Sequence, residues 1–241
     1  MTHVPELSVV VLCYRAGAGA LELADQLAGE LDQAGIDHEL ILVANHHAGD
    51  GDPTPELVRE YAARHPRAIA ITRVKEGMMG WDMRAGLEAA RGAHLAVIDG
   101  DGQMPVSDII KTYRLLQAGG YDLVKTFRAQ RLDGAYRAAL SRCYNVLFRL
   151  LFPGAAKFRD INSKPKVMTR AAYESMRLSS SDWFTDAEIM IEAIRSRLSI
   201  AEVSTIFLRN ERRATLVPPS AIWEFLRNLL YYRFRSWRRR P

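Results

Sequence analysis

Ile98-Asp-Gly-Asp-Gly-Gln-Met-Pro105 places two carboxylates, Asp99 and Asp101, two residues apart with a glycine after each. Such a turn can aim both side chains at one divalent cation. Hard carboxylate oxygens suit Mg2+ or Mn2+, and a small protein ligand set leaves coordination positions for diphosphate oxygens. Gln103 can add an amide oxygen. A calcium EF-hand also opens Asp-x-Asp, but its sixth loop position requires Gly and its twelfth Glu. Met104 and Ile110 stand there, which excludes it. The competing structural reading is a plain Asp-Gly turn at the end of a strand.

Further along, Arg128, Arg137 and Ser141 offer a second chemistry. Arg137 and Ser141 are four residues apart and share a helix face. Arginine forks bind phosphate oxygens bidentately, although arginines of this kind also occur as surface residues of an amphipathic helix, as Arg131 and Arg142 nearby illustrate.

The elements that must position these groups alternate in type. Leu7-Ser-Val-Val-Val-Leu-Cys-Tyr14, residues 38–44, 68–72, 93–98 and 122–126 read as strands. Helical spacing fills residues 21–31, a segment opened by Pro55, residues 83–90 and residues 105–116. This order predicts an α/β fold with a mostly parallel central sheet and helices on both faces. Ligands of such sheets bind outside the carboxyl ends of the strands, which brings Tyr14, Asn45 and Asp99 to one site. A long amphipathic helix follows over residues 135–152. Gly17-Ala-Gly19 invites a dinucleotide-binding reading, but Glu22 stands where the third glycine belongs and no carboxylate ends the second strand. The adjacent His46 and His47 read as solvated loop residues.

The chain resembles glycosyltransferase family two, in particular its dolichol-phosphate mannose synthase and bacterial polyprenyl-phosphate branch. The matching stretches are Ser8 to Tyr14, Gly80-x5-Gly86-Leu-Glu-Ala-Ala-Arg-Gly92, the turn from Asp99 to Gln103, Asp122-Leu-Val-x3-Arg128, Arg137-x3-Ser141, Asp160-x2-Ser163, Asp186-Ala-Glu188 and Ala201-Glu-Val203. The resemblance implies a GT-A (Rossmann-like) fold over residues 1–215. It implies a metal and donor-diphosphate site at Asp99, Gly100, Asp101 and Gln103, with Tyr14, Asn45 and Arg212 as further donor contacts. It also implies an acceptor-phosphate site at Arg128, Arg137 and Ser141, with Asp160 and Asp186 beside it as the carboxylates that could remove a proton from an acceptor hydroxyl, although Asp186 could equally compensate a helix dipole. The expected reaction is inverting transfer of a hexose from a GDP- or UDP-sugar to polyprenyl phosphate. Where the family has Pro-x-Tyr-Asn-Glu and paired aspartates, this chain reads Leu12-Cys-Tyr-Arg-Ala16 and Val43-Ala-Asn-His-His47, which leaves the base open between uracil and guanine. The alternatives are a hydroxyl acceptor and an inactive GT-A binding subunit.

Composition bounds the setting. The 241 residues suffice for one large domain, and 48% are hydrophobic and 25% charged. Cys13 and Cys143 match no metal or disulfide spacing, which suggests a reducing, cytoplasmic setting. Neither a leader nor an apolar run long enough to span a bilayer is expected. Residues 221–241 hold six arginines and one acid, Glu224, and so carry the whole formal charge of +5. A neutral body argues against a nucleic-acid binder. The basic amphipathic segment, residues 216–241, suits an anionic membrane surface, and hence peripheral attachment to the inner face. Packing on its own domain or on a second subunit, as in a homo-oligomer, is the competing reading.

Overall fold

The computed structural model describes residues 3–209 and 221–238, and in the last helix the side chains of residues 223–234. Arg212 lies outside the described residues. Among these residues one seven-stranded sheet has the order β3-β2-β1-β4-β6-β5-β7. The strands are β1 (Leu7–Leu12), β2 (His38–Val43), β3 (Ala68–Ile71), β4 (His94–Asp99), β5 (Leu123–Arg131), β6 (Lys166–Thr169) and β7 (Ile200–Phe207). Only β6 runs antiparallel to its neighbours, β4 and β5. The helices are α1 (Gly19–Gln33), α2 (Thr54–Arg64), α3 (Met79–Ala89), α4 (Ser107–Gly119), α5 (Ala135–Leu151), α6 (Arg170–Ser175), α7 (Thr185–Arg195) and α8 (Ala221–Arg238).

β1 and β2 are buried along their whole length because helices cover both sheet faces. Alternation along each strand then divides the core in two. Val10, Leu12, Ile41, Val43, Leu95 and Val97 pack with α3, α5 and α7. Leu7, Val9, Val11, Leu40, Leu42, Ala96 and Ile98 pack with α1, α2 and α4. The period of two thus fixes which side of every strand meets which helix layer.

Beyond residue 126 the sequence pattern no longer shows the strand's extent. β5 continues to Arg131, with a register irregularity between Arg128 and Gln130 against β7. The short strand β6 inserts between β4 and β5, so that residues 160–166 enter the sheet at the end where β4 stops. α3 begins at Met79, four residues before the helix read from the sequence. Its first turn is held by the loop before α7, where Met78 N donates to Ser181 O at 2.6 Å and Gly80 N to Asp182 O at 2.9 Å.

α8 packs on the body. Leu229 and Tyr232 are buried in the core beside Phe184, and Phe225 meets Tyr144 of α5 at 5.3 Å between ring centroids. Polar bonds fix its register: Asn228 Nδ2 donates to Asp182 Oδ2 at 2.6 Å, Trp183 N to Glu224 Oε1 at 3.0 Å and Tyr232 Oη to Glu188 Oε1 at 2.7 Å. The packed face of α8 takes in Asn228, whose amide is satisfied by Asp182, and leaves Leu230 exposed.

Candidate active site

The acidic turn leaves β4 in the middle of the sheet. Gly100 N donates to Leu12 O at 2.9 Å, and a Cβ at position 100 would lie 2.7 Å from that oxygen, so only glycine lets the turn fold against β1. Gly102 has a φ of +69°, which reverses the chain after Asp101. Asp101 Oδ1 accepts from Gln103 N at 3.0 Å. Gln103 is buried; its amide nitrogen donates to Leu208 O at 2.8 Å, and Leu208 N donates back to Gln103 O at 2.9 Å. Gln103 therefore fastens the turn to the end of β7. Asp99 and Asp101 are the carboxylates in position to serve a cation.

Among the described residues no group of three His, Cys, Asp or Glu side chains forms a preassembled metal cage. Two carboxylates on a tight turn fit a hard cation whose remaining positions are filled by diphosphate oxygens and water. His46 and His47 contribute no such cluster. His47 instead meets the Tyr14 ring edge-on at 6.0 Å.

At the nucleotide end, Asn45 differs from the base-reading residue its position suggests. It is fully buried, its Nδ2 donates to Asp82 Oδ1 at 2.9 Å, and its Oδ1 accepts from Arg73 N at 2.7 Å. With both amide functions used inside the protein, Asn45 ties β2 to the loop after β3 and to α3. Asp82 also pairs with buried Lys75, whose ammonium lies 4.4 Å over the Tyr14 ring. Burial raises the Asp82 pKa, outweighing the opposing pull of Lys75 and Asn45. Tyr14 remains half-buried at the strand end. Lys75 and Asp82 were not foreseen, because their pairing spans a loop and a helix start that the sequence pattern leaves unconnected.

The acceptor candidates are also paired within the chain. Arg128 donates from Nε to Asp160 Oδ2 at 2.5 Å and from Nη2 to Asp160 Oδ1 at 2.7 Å. Burial opposes ionisation of Asp160, but the Arg128 guanidinium and Lys125 outweigh it and hold the carboxyl far below the usual range. Asp186 is buried between Lys164 Nζ at 2.8 Å and Lys166 Nζ at 2.5 Å. Its pKa is likewise lowered, the two ammonium groups overcoming burial. Burial is the larger influence on Lys166 and pushes its pKa down to about 8. Neither carboxylate is therefore suited to remove a proton from a hydroxyl. Glu188, two residues on, accepts from Ser179 and Ser180 backbone amides at 2.8 and 2.9 Å and holds α8 through Tyr232.

Arg137 is the more adaptable arginine, 41% exposed and 3.3 Å from Asp133 Oδ2. Ser141 is half-buried one turn along α5. Asp133 is also held by Arg131 at 2.7 Å, and Arg131 and Arg128 both lie 5.3 Å over the Phe207 ring. Phe207 precedes Leu208, to which Gln103 is bonded. A continuous set of contacts thus links the arginines to the acidic turn.

Sequence reasoning missed Lys125, Lys164 and Lys166. Lys125 donates to Glu202 Oε1 at 2.9 Å from full burial, and Lys164 bridges Asp99 and Asp186. A signal was present in Ser163-Lys-Pro-Lys166: two lysines at strand spacing lead directly into Val167-Met168, where isolated buried ammonium groups would be costly.

A seven-stranded sheet of this order, with an acidic turn where β4 stops and a single antiparallel strand beyond it, defines a GT-A fold. The sequence profile of glycosyl transferase family 2 matches residues 8–183, and the chain belongs to that family. Undecaprenyl-phosphate 4-deoxy-4-formamido-L-arabinose transferase of Aeromonas hydrophila subsp. hydrophila is 29% identical over 60% of this chain and 43% of its own length. Dodecaprenyl-phosphate galacturonate synthase of Rhizobium johnstonii is 28% identical over 72% of this chain and 50% of its own. The chain thus spans half or less of these relatives. Among solved structures, glucosyl-3-phosphoglycerate synthase from Mycobacterium tuberculosis in complex with Mn2+, UDP and glucosyl-3-phosphoglycerate gives a TM-score of 0.69 at 18% identity. It covers 95% of this chain and 78% of its own, a likeness of fold.

Proposed function

We propose that this chain transfers a hexose, with inversion, from a GDP- or UDP-sugar to a polyprenyl phosphate. The observation that carries this reading is the state of the two base candidates. Asp160 is closed on Arg128 and Asp186 on two lysines, both with lowered pKa values. A hydroxyl acceptor needs a general base in reach. A phosphate acceptor needs none, because its oxygen is already an anion at neutral pH and can attack the anomeric carbon in line. The two curated relatives act, by name, on undecaprenyl and dodecaprenyl phosphates, which supports the same acceptor class.

Asp99 and Asp101 would hold Mg2+ or Mn2+, which neutralises charge on the departing nucleoside diphosphate. The mycobacterial structure with Mn2+ supports a divalent ion of this kind. Tyr14 and Lys75 flank the nucleotide end. Arg137 and Ser141 receive the acceptor phosphate, and the rigid Arg128–Asp160 pair shapes the floor beside them.

The protein reaches its lipid from the cytoplasmic face. Among the described residues no helix is long and apolar enough to cross a membrane. The outer face of α8 instead exposes Trp223, Leu230, Tyr231 and Phe234, and α5 exposes Tyr136, Leu140 and Leu150. Aromatic and aliphatic side chains beside arginines suit an anionic bilayer interface.

The test is transfer from labelled UDP- and GDP-hexoses to undecaprenyl phosphate and to soluble saccharides, with and without EDTA. Product should form on the lipid phosphate alone, and should vanish in EDTA and in Asp99→Asn or Asp101→Asn. Equal transfer to a saccharide hydroxyl, or full activity in EDTA, overturns the reading. Nucleotide binding without turnover would mark an inactive binding subunit.

A further inference from the structure

The acidic turn is already partnered from beneath. Lys164 Nζ lies 3.1 Å from Asp99 Oδ1 and 3.3 Å from Asp99 Oδ2, and 2.8 Å from Asp186 Oδ2. Asp186 Oδ1 is held by Lys166, which also donates to Ser163 O at 2.8 Å. The four groups alternate in charge along one line: Asp99, Lys164, Asp186, Lys166. The Lys164 side chain is 4% exposed and that of Asp99 is 30% exposed. The ammonium therefore approaches from the interior, while the carboxylate opens to solvent. The remaining neighbour of Nζ is Met79 Sδ at 3.4 Å, a weak acceptor. One donor position of the ammonium is thus poorly used.

We propose that Lys164 is a donor-binding residue. It acts as the counter-ion of Asp99 before the donor arrives, and it donates to a diphosphate oxygen once a divalent cation and nucleotide have bound together. The inference rests on the reading of Asp99 and Asp101 as the cation site. Its physical basis is charge. Lys164 offsets Asp99 and Lys166 offsets Asp186, so these two carboxylates attract a bare divalent cation far less than they would without their ammonium partners. A cation arriving with its nucleotide meets a better balance. The ion takes Asp99 and Asp101, and the diphosphate offers Lys164 a new acceptor in exchange. Asp186 keeps Lys164 in place during that exchange, because Lys166 and the first turn of α7 hold the carboxylate rigidly.

The experiment is Mn2+ binding to the full chain, read from the electron paramagnetic resonance signal of free Mn2+, with and without UDP or GDP. The unaltered protein should bind Mn2+ weakly alone and at least tenfold more tightly with a nucleoside diphosphate. Lys164→Gln removes the charge and keeps a hydrogen-bonding group. It should tighten Mn2+ binding without nucleotide at least tenfold and weaken nucleoside diphosphate binding at saturating Mn2+ at least tenfold. Lys164→Met serves the same purpose where the glutamine variant does not fold. Unchanged or weaker Mn2+ affinity in a folded variant overturns the inference alone. So does Mn2+ binding to the unaltered protein that nucleotide fails to tighten. Absence of Mn2+ binding under both conditions overturns the cation site and this inference with it.

Discussion

Arg128 closes its guanidinium fork on Asp160 through two hydrogen bonds, 2.5 Å from Nε and 2.7 Å from Nη2. The residue that the sequence offers to a phosphate thus neutralises the residue that the sequence offers as a base. Asp160 is buried and the Arg128 side chain is only 12% exposed, so the pair must stay intact for the site to keep its shape.

Asp160→Asn should therefore destabilise the protein by about 3–5 kcal/mol at neutral pH, the cost of leaving a buried charge without its partner. The sign with pH follows from the lowered pKa of Asp160. Its stabilisation is fully present above the unfolded carboxylate value, about 3.9, and is lost as pH falls toward the lower folded value. Urea unfolding at neutral pH and again near the acid limit should show the variant converging on the unaltered protein. A constant difference across that range would contradict the pairing.

Arg137 has only a 3.3 Å contact with Asp133 and is accessible to an incoming phosphate. Arg137→Ala should lose about 1.5–3 kcal/mol of transition-state binding, the contribution of a charge-assisted hydrogen bond. That corresponds to roughly one to two decades in kcat/KM for the lipid acceptor. Hydrolysis of the donor by water should be nearly unchanged. Equal losses in transfer and hydrolysis would move Arg137 out of the acceptor site.

Asn45→Ala should behave as a core variant as well as a donor-site variant. It leaves buried Asp82 short of a partner, at a cost of about 1–3 kcal/mol, and removes the part-buried bond to the Arg73 amide. Because Asp82 positions Lys75 over Tyr14, the KM for donor should rise more than kcat falls. Thermal unfolding and donor kinetics on the same preparation check both parts. A stable variant with unchanged donor KM would show that this network does not support the nucleotide.

The outer face of α8 can be altered without disturbing its packed face. Trp223→Ser together with Phe234→Ser should leave the melting temperature within a few degrees, since both side chains are exposed. Binding to vesicles containing anionic lipid should fall severalfold in a sedimentation assay, and activity on vesicle-borne lipid with it. Activity on a short-chain soluble polyprenyl phosphate should persist. Undiminished vesicle binding would remove α8 from the membrane contact.

The alternation of strands and helices through residue 126 was legible in the sequence because both periodicities are local and both sheet faces are buried. The same holds for the acidic turn: a strand end, two glycines and two carboxylates lie within five residues, from Asp99 to Gln103. What the sequence could not show is which charges neutralise one another. Asp99 meets Lys164 across 65 positions, Arg128 meets Asp160 across 32 and Asn45 meets Asp82 across 37. The first two pairings depend on β6 entering antiparallel between β4 and β5, a placement that four residues of strand cannot announce by their own pattern, and the third on α3 packing at the end of β2. Residue type and spacing determined the chemistry available to this protein. The tertiary structure decided which of those groups remain available for it, because a buried charge is stable only beside an opposite one, and only the folded sheet brings the two together.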